Sequence, residues 1–112
     1  MLIAVACKGL DVADCLDSAE CITCYLAERG IIQGCRTTPL PRASFEEQLS
    51  FMKAIGVDAL ICGSVERTAL NRLVAEGIDV VQRVTGNPAD AASSYVLEAM
   101  SCPDDELMDE EE

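Results

Sequence analysis

Residues 55–81 read IGVDALICGSVERTALNRLVAEGIDVV, and this stretch decides the fold. Within it the string Gly56-Val57-Asp58-Ala59-Leu60 is echoed by Gly77-Ile78-Asp79-Val80-Val81. Each copy sets a helix-stopping glycine before a short apolar run suited to a strand buried on both faces. Between them Ala69, Leu70, Leu73 and Val74 fall at helical spacing. A helix-to-strand unit is thus built twice in succession, as parallel crossovers require.

Working outward toward the N-terminus, residues 44–55 predict a preceding helix. Ser44 and Glu47 stand at capping-box spacing, and Phe45, Leu49 and Met52 share one face. Residues 2–6 form a short apolar run that reads as a buried strand ending at Cys7, Lys8 and Gly9. Residues 8–19 read as a loop, and residues 21–27 and 31–37 as two strands joined by a turn at Glu28, Arg29 and Gly30. Toward the C-terminus, residues 57–62 and 78–84 are the expected parallel strands. Asn87 as N-cap, Pro88 at the first helical position and Asp90 in the first turn then predict a last helix, with Ala91, Ala92, Tyr95, Val96 and Ala99 facing inward. Right-handed crossovers place the fourth strand beside the first and the fifth outside it, giving an α/β domain of strand order 3-2-1-4-5 with three helices.

With 112 residues, half of them apolar, one hydrophobic core is expected. The net charge is -12, but seven acids lie within residues 104–112, and without them it is -5. Residues 1–102 are therefore read as the domain and 103–112 as an acidic disordered tail. No basic stripe is present to neutralise phosphates, so nucleic acid is not an expected partner. No apolar run reaches the roughly 18 residues of a membrane span, and Met1 leads into Leu2–Val5 with no basic segment. The expectation is a cytoplasmic protein without membrane contact, either a monomer or a weak homo-oligomer.

Seven cysteines and no histidine narrow the chemistry. An odd count prevents complete disulfide pairing within one chain, and the missing histidine removes Ser-His and Cys-His nucleophilic pairs. Any metal site must use thiolates, carboxylates or backbone groups. In an open α/β sheet, ligands collect beyond the carboxyl ends of the parallel strands where strand order reverses. Cys7 ends the first strand and Cys62 the fourth, so these two thiols are the preferred metal ligands, with Cys21 and Cys15 auxiliary. Two helix N-termini are expected to open on the same rim, after Gly63-Ser64 and after Gly86-Asn87, offering N–H groups to an anionic cofactor. Cys24 and Cys35 alternate in phase with apolar neighbours and read as core, while Cys102 sits near a helix end. Cys21 and Cys24 have redox-motif spacing, with a superficial likeness to a glutaredoxin active-site segment, but on an extended strand they fall on opposite faces. Strand one carries no acid for metal-dependent hydrolysis.

The strand order, the segment from Ile55 to Val81 and the turn at Thr85, Gly86 and Asn87 together resemble the dinitrogenase iron-molybdenum cofactor-binding family. The resemblance spans roughly residues 1 to 100 and implies a ribonuclease H-like three-layer domain with a five-stranded mixed sheet. That family often carries a Glu-His-Phe-Gly-Arg type segment between its first two strands. The nearest counterpart here is Glu20, Cys21, Ile22, Thr23 and Cys24, in which a thiolate would stand where the family has imidazole. The resemblance implies a non-enzymatic carrier of an iron-sulfur or iron-molybdenum type cluster, serving a metalloenzyme or cofactor-assembly protein. The alternatives are an interaction domain that has lost its ligand and a thiol-disulfide redox protein using Cys21 and Cys24.

Overall fold

A computed structural model describes residues 1–109, with side chains described as far as residue 98. The elements in order are β1 (Leu2–Lys8), β2 (Asp11–Val12), a single 3-10 turn (Leu16–Ser18), β3 (Cys21–Glu28), β4 (Ile31–Pro39), α1 (Phe45–Ile55), β5 (Ala59–Ile61), α2 (Arg67–Ala75), β6 (Asp79–Val81) and α3 (Pro88–Asp109). The main sheet runs β4-β3-β1-β5-β6, with β2 paired to the end of β1. This is the expected order with one two-residue strand added. β1, β5 and β6 are parallel, and β3 and β4 are antiparallel additions.

The two helix-to-strand units close in the same way. Gly56 and Gly77 take positive φ (78° and 82°), and the N–H groups of Val57 and Ile78 reach back to Met52 O and Leu73 O at 3.0 and 3.1 Å. This is the six-to-one bond of a Schellman ending. β5 and β6 are three residues each rather than the predicted 57–62 and 78–84, and the helix ending explains their late starts, because Val57 and Ile78 are still finishing their helices. The aspartates that follow then hold the strand starts: Leu2 N–H donates to Asp58 Oδ2 at 2.8 Å, and Tyr95 Oη donates to Asp79 Oδ2 at 2.8 Å.

The hairpin of β3 and β4 turns through Arg29 and Gly30, both at positive φ (57° and 81°). Two such residues in succession make the tight turn whose twist suits a hairpin. α1 begins with the predicted capping box: Glu47 N–H donates to Ser44 Oγ at 3.2 Å, and Ser44 N–H donates to Glu47 Oε1 at 2.8 Å.

Strand alternation divides the core into two layers. Ala4, Ala6, Ile22, Cys24, Leu60 and Cys62 pack against Leu49 and Met52 of α1 and Leu73 of α2. Ile3, Val5, Cys7, Tyr25, Ala27 and Ile61 pack against Ala92 and Val96 of α3. The result is three layers around one sheet. The expected boundary at residue 102 falls within α3, and the side chains of Cys102 and of the acidic segment 103–112 lie outside the described residues, as does that of Ala99.

Candidate functional site

The carboxyl ends of β1 and β5 are covered by the chain itself. Residues 8–20 fold over them, held by Ala13 N–H to Ala6 O (2.8 Å), Val12 N–H to Gly86 O (2.8 Å), Gly63 N–H to Ala13 O (2.9 Å) and Leu16 N–H to Ser64 O (2.9 Å). Gly63 must be glycine, because a Cβ there would collide with the carbonyl of Asp14. Its own carbonyl accepts from Arg83 N–H at 2.6 Å. Ser64 Oγ donates to Asp14 O at 3.2 Å, and Val65 N–H donates to the Gln82 side chain at 3.0 Å.

These bonds give the four expected rim residues internal partners. α2 starts at Arg67 after an N-cap at Glu66, so Gly63 and Ser64 belong to a connecting turn rather than to the helix end. Gly86 serves as an acceptor for Val12 and takes φ 92°. Asn87 caps α3 as predicted, its Oδ1 accepting from Ala89 N–H at 2.8 Å and Asp90 N–H at 3.3 Å. The first N–H groups of α3 are therefore satisfied by the chain.

The thiols are arranged differently from the expected cluster. Cys7 and Cys62 lie on opposite faces of the sheet, Cys7 toward α3 and Cys62 toward α1 and α2. The structure does not bring these two preferred ligands together. Each is instead near one of the auxiliary cysteines. Cys7 stands directly opposite Cys21 in the β1 and β3 register. The thiol of Cys21 approaches the carbonyl of Cys7 at 3.9 Å. On the other face the Cys15 thiol, in the loop, acts electrostatically on Cys62.

Exposure reverses the expected ranking. Cys7 and Cys62 are buried (2% and 0% exposed), whereas Cys15 and Cys21 are half-buried and reach the surface. Burial pushes the Cys62 thiol up to about 11, with the Cys15 thiol adding to the shift and the Ser64 backbone opposing it. Burial also raises Cys7, against a lowering hydrogen bond with Thr23. Both are neutral thiols near neutral pH, and a metal would have to displace their protons. Among the described residues no group of three or more Cys, Asp or Glu side chains is placed to hold one ion.

Cys24 is core, as expected, with its thiol raised by burial. Cys35 is exposed, contrary to expectation, because β4 is the edge strand and most of it lies outside both layers. Cys21 faces the α3 layer and Cys24 the other, so they cannot pair within the straight strand. The redox motif read at this spacing is thereby corrected. The pairing of Cys7 with Cys21 was missed, although its signal was present: the first strand ends at one cysteine, and its antiparallel neighbour begins at the other.

A groove of about 600 Å³ lies between β4 and α1. Leu2, Cys24, Leu26, Phe51 and Ile55 line it together with residues 34–39 of β4, the last of which, Pro39, pairs with Cys21 in the β3 and β4 register. No helix is long and apolar enough to cross a membrane among the described residues.

A three-layer α/β domain of strand order β4-β3-β1-β5-β6 defines the class. The family described as dinitrogenase iron-molybdenum cofactor matches residues 1–98, and the chain belongs to it. The chain is similar to the protein PH0822, whose crystal structure superposes with a TM-score of 0.79 at 17% identity, covering 86% of this chain and 88% of that one. A crystal structure described as a candidate dinitrogenase of Methanocaldococcus jannaschii gives 0.69 at 13% identity, covering 88% and 89%. A solution structure described as a candidate NifB protein of Thermotoga gives 0.60 at 24% identity, covering 89% and 86%. At these identities the likeness is one of fold. No curated protein matches the chain.

Proposed function

We propose that this protein binds and carries a preassembled iron-containing cofactor at its strand-end rim, without catalysing a reaction. One observation carries the reading: two surface-reaching thiols, Cys15 and Cys21, each backed by a buried thiol, stand at the edge where ligands collect in this class of sheet. Soft thiolate donors suit iron and other thiophilic metals.

The donor set fits cargo better than a cluster built on the chain. Donors come in twos on separate faces, so four cysteines do not converge. A cofactor that brings its own bridging ligands needs only one or two protein donors, and Cys15 and Cys21 are the accessible ones. Cys7 and Cys62 then act behind them. Family membership supports a cofactor-related role, and the expected partner is a metalloenzyme or an assembly protein that gives or takes the cargo.

A second reading is an interaction domain that has lost its ligand. The self-satisfied loop over the strand ends favours it, since that loop occupies the crevice a ligand would use. Anaerobic incubation with a preassembled, thiolate-ligated iron-sulfur cluster, followed by metal analysis and an absorption spectrum, separates the two. The carrier reading expects iron retained through desalting and a thiolate charge-transfer band.

A further inference from the structure

We propose that Cys7 and Cys21 form a reversible cross-strand disulfide by exchange with small-molecule disulfides, which makes this strand edge a site of thiol modification. The inference concerns the metal-free chain and stands apart from the cofactor reading.

The register sets the pair. Cys7 in β1 faces Cys21 in β3 directly, and opposed residues of antiparallel strands point to the same side. The Cys7 thiol lies 3.3 Å from Val5 O and 3.7 Å from Thr23 Oγ1, and the Cys21 thiol leans to 3.9 Å from Cys7 O. Among the described residues the remaining thiols lie elsewhere, Cys15 beside Cys62. Cys24 and Cys62 face the opposite layer, and Cys35 sits across from Tyr25 on β4, where the partner of Cys21 is Pro39.

Access orders the steps. Cys21 reaches solvent, so its thiolate attacks one sulfur of a small disulfide such as oxidised glutathione, forming a mixed disulfide and releasing one thiolate. Cys7 is buried beside it, gives up its proton and attacks Cys21 Sγ, which expels the second small thiolate. The two expelled thiolates take up the two protein protons, so the chain loses two S–H bonds, gains one S–S bond and reduces one small disulfide to two thiols.

Opposed positions hold Cβ atoms about 4.5–5.5 Å apart, while a disulfide wants about 3.5–4.5 Å. The strands must draw together slightly. Both residues adjoin residues 8–20, whose strand β2 also pairs Val12 with Cys7, so the closure moves the β1 end together with that segment. A bond made with that strain is readily reduced again.

The test incubates the full, metal-free chain with oxidised glutathione, traps the remaining thiols and maps the peptides by mass spectrometry. The expected product is a single intramolecular link between Cys7 and Cys21, reversed by dithiothreitol. Cys7→Ala is expected to stop at a stable mixed disulfide on Cys21, and Cys21→Ser to leave Cys7 unreacted over the same interval. A stable mixed disulfide on Cys21 of the unmodified protein, or a link from Cys21 to any other cysteine, would overturn the proposal. The map of the unmodified protein decides the matter even if a variant fails to fold.

Discussion

Cys7 and Cys62 end neighbouring parallel strands and look to opposite sides of the sheet. The register that pairs Val5 with Ile61 puts Cys62 level with Ala6, one residue short of Cys7. One residue along a strand reverses the face. The strand-end thiols therefore work as two separate groups, each with one thiol at the surface and one in the core.

The loop over the strand ends depends on Gly63. Gly63→Ala puts a methyl group into the Asp14 carbonyl and separates the loop from β5. The expected loss is about 2–3 kcal/mol of unfolding free energy in urea titration. Ser64→Ala removes only an exposed hydrogen bond to Asp14 O and is expected to cost about 1 kcal/mol or less.

Asn87 is assigned to helix capping, so its variants sort by capping chemistry. Asn87→Ala is expected to cost about 1 kcal/mol, and Asn87→Asp to keep most of that, because a carboxylate also accepts from the first-turn N–H groups. Thermal unfolding of the two variants side by side checks the order.

Cys62 gives the fold an alkaline weakness. Its thiol lies near 9 when unfolded and about 11 when folded, so the folded state holds the proton more tightly between those values. That contribution is complete below pH 9 and is lost as pH rises through 11, roughly 2–3 kcal/mol in all. Cys62→Ala should flatten this part of the stability curve, measured by urea unfolding in reductant from pH 8 to pH 11.

The hairpin carries a removable strain. Arg29 holds φ 57°, a left-handed conformation that asparagine tolerates better. Arg29→Asn is expected to raise stability by about 0.5–1 kcal/mol, read as a higher urea midpoint with an unchanged slope.

Much of the architecture was legible because local signals agreed. The Gly-apolar-Asp echo marks two helix-to-strand units, Ser44 with Glu47 marks one helix start, and Asn87 with Pro88 marks another. Strand order then follows from crossover handedness. The site was less legible because it depends on register, which composition does not carry. Whether Cys62 aligns with Ala6 or with Cys7 is set by where the Schellman ending at Gly56 and Val57 releases the chain into β5. The path of residues 8–20 was equally hidden, being fixed by backbone bonds and by the room that the missing Cβ of Gly63 leaves.

The carrier reading rests on the surface thiols, and anaerobic loading of a Cys15→Ser, Cys21→Ser variant beside the unmodified protein tests it most directly. The account predicts iron retained by the unmodified chain through desalting, with a thiolate-to-iron absorption band, and both lost in the double variant while its circular dichroism is unchanged. An unmodified chain that emerges iron-free and colourless, or a double variant that retains as much iron, would contradict it.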